Sequence, residues 1–165
     1  MGTNFYLRKK NQQDKIIQAV KERDYYTAKL LMSEEYIHIA KTSAGWLPVF
    51  EAHIEPLIRS VQDIKNLYDH GYKEDEFELV DEYDTTYSWD EFKDRVLMFE
   101  GGTRKNRKPG TFSQEDIKES KKYGFRDKNM PNHSPISHIE YANGKYEDSY
   151  FEDPEGYEFD KYQFC

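Results

Sequence analysis

Thr3-Asn4-Phe5-Tyr6-Leu7-Arg8, answered after a charged stretch by Tyr36-Ile37-His38-Ile39-Ala40, decides the fold. Both segments are short, rich in aromatic or β-branched residues and nearly alternating, the pattern of a strand with one buried face. Between them, Asn11 to Tyr36 lacks Gly and Pro, and Ile16, Ile17, Val20, Ala28, Leu30 and Leu31 recur in a charged background. Asp24, Tyr25 and Tyr26 interrupt that apolar stripe, so two short helices are expected rather than one long one. Thr42-Ser43-Ala44-Gly45 reads as a turn of small residues closing the second strand.

The same alternation of strands and helices continues along the chain. Trp46 to His53 is expected to be a third strand, with Pro48 placing it at an edge or a bulge. Ser60 opens a helix whose buried stripe is Val61, Ile64, Leu67 and Tyr68, and Gly71 supplies the left-handed stop. Phe77 to Tyr83 reads as a strand. Ser88-Trp89-Asp90-Glu91 is a capping box that opens a helix carrying Phe92, Val96 and Phe99 on one side and ending at Gly101-Gly102. Ser113 to Lys122 suits a short helix, and Phe125 to Pro135 is irregular. Ile136 to Ala142 and Lys145 to Phe151 flank Asn143-Gly144, a hairpin signal because both residues tolerate positive φ. Asp153-Pro154-Glu155-Gly156 is a second turn, leading to a last strand from Tyr157 to Phe164 at most. The expected class is α+β: a mainly antiparallel sheet with helices inserted between strands and a C-terminal hairpin.

Composition narrows the function. The 165 residues suit a single domain over 1–165. Leu, Ile, Val and Phe total 33, a thin core that 14 Tyr and 2 Trp must thicken. No run of apolar residues is long enough to cross a membrane, and Met1–Lys10 lacks the apolar stretch of a signal peptide. The lone Cys165 leaves no disulfide framework or Cys-based zinc site, and the expected compartment is a reducing cytosol. A net charge of −8 argues against general nucleic-acid binding. There is no Walker-type loop, Gly-x-Gly-x-x-Gly, His-Glu-x-x-His or Gly-x-Ser-x-Gly. The histidines, at 38, 53, 70, 133 and 138, fit no metal signature. The expectation is a protein without catalytic residues, metal or cofactor.

Three stretches carry binding chemistry, each beside a plainer reading. In Ile37-His38-Ile39-Ala40-Lys41-Thr42-Ser43-Ala44-Gly45-Trp46 a strand delivers a lysine to hydroxyl and small residues. Lys41, Thr42, Ser43 and the Gly45 amide are donors suited to a phosphate, and Trp46 is the type of side chain that stacks on a base. The plainer reading is a tight turn with an exposed lysine and a core tryptophan. Glu140 to Asp160 holds eight acids and one lysine interleaved with aromatics. It reads either as an acidic face for a basic partner or as a hairpin with rings inward and acids in water. Arg104, Lys105, Arg107 and Lys108 lie between Gly101 and Gly110, as a lid over an anion or as a solvated loop.

Gly2-Thr3-Asn4-Phe5-Tyr6, then Ile37 to Trp46, then Val80-Asp81-Glu82-Tyr83, then Asp153-Pro154-Glu155-Gly156-Tyr157-Glu158-Phe159 occur in that order. In these spaced blocks the chain resembles a widespread group of small phage-encoded proteins. It departs from their pattern at Asn11–Tyr36, which lacks the Cys-x-x-Cys pair many relatives carry, so no zinc is implied. Within that resemblance it looks like viral sponge proteins that sequester the cyclic-nucleotide signals of bacterial CBASS-type defence. The resemblance implies a homo-oligomer, possibly a tetramer, in the host cytoplasm, holding a cyclic di- or trinucleotide uncleaved. Lys41, Thr42, Ser43 and Gly45 would face phosphates, Tyr6 and Trp46 would flank bases, and His38 would meet a phosphate or base edge. Arg104 and Lys105 would be lid contacts. The competing class is an inhibitor that blocks a basic host protein with its acidic C-terminal face.

Overall fold

A computed structural model describes residues 2–43, 46–103, 105–106 and 150–161. Seven strands form one sheet in the order β5-β4-β1-β2-β3-β7-β6. They are β1 (Gly2–Lys9), β2 (Tyr36–Ser43), β3 (Val49–Glu51), β4 (Phe77–Asp81), β5 (Thr86–Tyr87), β6 (Tyr150–Glu152) and β7 (Glu158–Asp160). Every neighbouring pair is antiparallel except β3 and β7, which run parallel, with Phe50 beside Phe159. Helices α1 (Gln12–Lys21) and α2 (Tyr25–Ser33) join β1 to β2, α3 (Val61–His70) joins β3 to β4, and α4 (Trp89–Phe92) follows β5. The architecture is the α+β class expected, with helices between strands and a C-terminal hairpin, β6–β7.

Local chemistry accounts for the helix ends. The Ser60 hydroxyl accepts the Asp63 amide at 3.0 Å, and Gly71 at φ 73° stops α3 as the sequence suggests. Ser88 accepts the Glu91 amide at 3.1 Å, but α4 is brief. Its continuation is a π-helical turn over Lys93–Leu97 and a 3₁₀ turn over Phe99–Gly101. Phe92 and Val96 are fully buried and Phe99 only partly.

One face of the sheet carries the core. Phe5, Leu7, Phe50, Phe77, Leu79 and Phe159 meet Val61, Ile64 and Leu67 of α3, with Phe92, Val96 and Leu97 beyond them. Rings fill space that the few aliphatic residues leave. Phe159 stacks between Phe50 at 5.3 Å and Phe151 at 5.4 Å, while Phe5 meets Tyr87 and Phe92 edge-on.

Several expected boundaries move. The second strand runs to Ser43, so Thr42 and Ser43 belong to β2 and not to a turn. The third strand is confined to Val49–Glu51, because Pro48 has no N–H for the ladder; His53 keeps a single bridge to Ile58. β4 ends at Asp81 and not Tyr83, because the Asp81 carboxylate folds the chain back into β5. It accepts the Tyr83 and Thr85 amides at 2.8 and 3.0 Å and the Tyr87 hydroxyl at 2.7 Å. The last strand ends at Asp160 among the described residues. The expected helix over 113–122, the Asn143-Gly144 turn, most of its flanking strands and the irregular stretch 125–135 lie outside them.

Asp153 does the same at the other end of the sheet. Buried, it accepts the Glu155 and Tyr157 amides at 3.0 and 2.9 Å, closing the β6–β7 turn, and the Val61 amide at 2.9 Å, at the start of α3. Replacing it with Ala strands three amides, so Asp153→Ala is expected to lower unfolding free energy by about 2–4 kcal/mol, read from denaturant titration.

Asp81 yields a pH test. Burial pushes its carboxyl up, but hydrogen bonds from Tyr87, Thr85 and Tyr83 outweigh that and hold it below the usual aspartate range. A depressed folded value contributes stability that is present above the unfolded value and lost as pH falls through the folded one. The stability gap between wild type and Asp81→Asn should therefore be widest near neutrality and shrink below about pH 4. A gap that stayed constant down to acid pH would refute that role.

Candidate functional site

The other face of the sheet is polar, and a single irregularity composes it. Along β1 and β2, Asn4 pairs with Lys41 and Phe5 with Ala40, but Tyr6 pairs with His38, leaving Ile39 as an extra residue. This β-bulge shifts the alternation of β2 by one position. His38 and Lys41, three apart and otherwise on opposite faces, thus share the face of Asn4 and Tyr6. Lys41 pairs with Val49, so Glu51 joins that face from β3. The parallel partner β7 adds Glu158 beside Val49 and Asp160 beside Glu51.

His38 sits at the centre. Its Nδ1–H donates to Glu51 Oε2 at 2.6 Å, and its Nε2 lies 3.1 Å from the side-chain oxygen of Asn4. A ring with N–H on both nitrogens donates to both oxygens; a ring with Nδ1–H alone pairs with the Asn4 amide turned about. Glu51 is buried, and its second oxygen is 3.8 Å from His53 Nε2, which donates to the His38 carbonyl at 2.6 Å. The Tyr6 ring lies 5.1 Å from His38 and 5.7 Å, edge-on, from Tyr36. Burial, then the charges of Glu82 and Glu51, push the Tyr6 phenol above its ordinary value, keeping it a neutral donor.

The residues singled out in the sequence divide into groups. Tyr6, His38 and Lys41 share the polar face. Ser43 joins them: a Cβ on Gly2 would meet Ser43 Oγ at 2.6 Å and Lys41 Cε at 3.0 Å, so both side chains close over that glycine. Thr42 does not join them. It is buried on the opposite face, because strand alternation separates it from Lys41 on one side and Ser43 on the other. Trp46 is half-buried, and its amide donates to the Ser43 carbonyl at 3.0 Å. Lys105 is exposed in the turn after Thr103, whose side chain lies 3.6 Å from the Cβ position of Gly156. No described hydrogen bond or ion pair joins it to the polar face. Gly45 and Arg104 lie outside the described residues.

Asn4, Glu51 and His53 escaped the sequence reading. Their only signal was position: Asn4 alternates with Tyr6, and Glu51 with His53, inside predicted strands. The acidic tail also differs from the expectation of acids in water. Glu152 and Glu155 are exposed, whereas Asp153, Glu158 and Asp160 are buried. Two clefts of about 180 and 200 Å³ open elsewhere, one lined by Arg8, Lys9, Gln12 and Glu35, the other by Val61, Lys65, Trp89 and Tyr157. Among the described residues, no group of three or more His, Cys, Asp or Glu is placed to hold a metal ion, and no helix is long and apolar enough to cross a membrane.

The Glu51–His38 contact is testable by itself. A double-mutant cycle of His38→Ala and Glu51→Ala should return a coupling of about 1.5–3 kcal/mol, as for a hydrogen bond to a buried charged group. Coupling near zero would mean the carboxylate does not hold the ring. No protein-family model, no curated protein and no solved structure matches this chain.

Proposed function

We propose that this protein is a phage immune-evasion factor that binds cyclic oligonucleotide defence signals and holds them uncleaved. The reading is supported by one juxtaposition: Tyr6, His38, Lys41 and Ser43, three of them drawn from the motif Ile37 to Trp46, converge on the polar face of β1 and β2. Lys41 and Ser43, whose side chains close over Gly2, offer a cation and a hydroxyl to a phosphate. Tyr6 and His38 offer rings to a base four residues along the strand. That separation, about 13 Å, suits a ligand of more than one nucleotide.

A hydrolytic reading also has an observation in its favour. A carboxylate orienting an imidazole is the arrangement of a general base. In His38, however, the second nitrogen already faces Asn4, so the ring is engaged on both sides and serves as a fixed platform.

Calorimetric titration against a panel of cyclic di- and trinucleotides, followed by heat denaturation and chromatography of the released ligand, separates these readings. A sponge should bind with nanomolar affinity, about −12 kcal/mol, and release intact ligand. Lys41→Ala should weaken that binding roughly tenfold to a hundredfold while the protein remains folded. Cleaved product would assign a hydrolase. Absence of binding across the panel, or binding indifferent to Lys41→Ala, would overturn the proposal.

A further inference from the structure

The helical hairpin α1–α2 is the most apolar part of the described surface. Among the described residues, eleven large apolar or aromatic side chains are markedly exposed, and six of them lie on these two helices, from Ile17 to Met32. The two helices pack on each other, and the Gln12 side-chain amide donates to the Leu31 carbonyl at 3.1 Å, closing their far ends antiparallel. Gln12 and Ala19 of α1 and Ala28 of α2 are buried. With those residues turned inward, helical repeat places Ile17 and Val20 on the same side of the pair as Tyr25 and Met32. These four are 52, 46, 63 and 60% exposed. Together they present apolar surface on the order of 400 Å², the size of the largest, often functional, patch on a typical monomer.

Charge decides what such a surface can meet. Residues 12–33 carry four Lys or Arg against three Asp or Glu, in a chain of net charge −8. Two copies approaching by the acid-rich C-terminal stretch, where residues 140–160 carry eight acids and one lysine, repel each other, whereas two hairpins meet almost neutral. An acidic face elsewhere on the partner would call for a strongly basic patch here, and the hairpin is not one.

We infer that the α1–α2 hairpin is the two-fold interface of a homodimer, pairing with its own copy so that Ile17, Val20, Tyr25 and Met32 are buried in a four-helix bundle. A hairpin buries only one seam of each helix, and an isologous partner supplies the second. Burying the patch on both copies removes about 800 Å² of apolar surface, and the stems of the flanking Lys and Glu side chains extend that toward the 1,200 Å² of a stable interface. The inference is independent of any nucleotide ligand.

Sedimentation equilibrium over a wide concentration range tests it, together with the variant Ile17→Glu/Met32→Glu. The wild type should be a dimer, or an even-numbered closed assembly containing that dimer. The variant should weaken pairing at least about a hundredfold, because four carboxylates would then crowd one seam. Tyr26→Glu/Leu30→Glu, on the other side of the hairpin, should leave pairing intact. Amide hydrogen exchange of the wild type should slow within residues 12–33 as concentration rises, with no matching change in the sheet. A monomer at every concentration, open-ended polymers, pairing that survives Ile17→Glu/Met32→Glu, or concentration-dependent protection elsewhere would each overturn the assignment.

Discussion

One extra residue in β2 decides what both faces of this sheet contain. β1 lies between β2 and β4, so the β1–β2 register passes to the whole central sheet. A regular β2 would place His38 and Lys41 on opposite faces and send one of them into the core. The bulge instead turns Ile39 and Ala40, consecutive residues, toward the apolar side, where both are fully buried. Burying an isoleucine side chain is worth about 1.5–3 kcal/mol, which offsets the interrupted ladder. The core and the polar face therefore have a common origin in one backbone irregularity.

Around that centre, carboxylates are used as structural donor-collectors. Asp81 gathers two amides and a phenol to reverse β4 into β5; Asp153 gathers three amides to tie the β6–β7 turn to α3. These aspartates are the centres of Val80-Asp81-Glu82-Tyr83 and Asp153-Pro154-Glu155-Gly156-Tyr157. Two of the four motif blocks thus have an architectural explanation, and so does Gly2, beside which Ser43 and Lys41 leave no room for a Cβ. What architecture leaves unexplained is narrower than the motifs themselves: Asn4, Tyr6, His38 and Lys41, the polar residues facing outward from β1 and β2.

Legibility in the sequence followed the range of the interaction. The helix starts at Ser60 and Ser88 and the stop at Gly71 are settled within four residues, and they stand where the sequence places them. The split of Asn11–Tyr36 into two helices was legible too, because Asp24 caps α2 by accepting the Thr27 amide at 3.1 Å. Pairings between distant segments were not. Nothing near Val49 announces a parallel partner at Glu158, and that pairing turns Glu158 and Asp160 from expected solvent-facing acids into buried ones. The bulge escaped for a related reason: Tyr36 to Ser43 carries no Gly or Pro to mark it, and only the register against β1 reveals it. Glu51 beside His38 depends on that register as well.

These carboxylates constrain what the polar face can accept. Glu51, Glu158 and Asp160 all lie on it, and Tyr6 already feels the charges of Glu82 and Glu51. An anionic ligand spread evenly over such a surface would be repelled along most of its length. Lys41 stands with Ser43 at the Gly2 end, while the Tyr6–His38 end offers ring faces beside the Glu51 carboxylate. On the proposed reading, a ligand is polarised in the same sense, with phosphate at one end and aromatic surface at the other. Nucleotides have that division, and simple polyanions do not. On the proposed reading the acidic surroundings would act as a filter against phosphate-rich molecules whose charge is not paired with a base that can reach Tyr6.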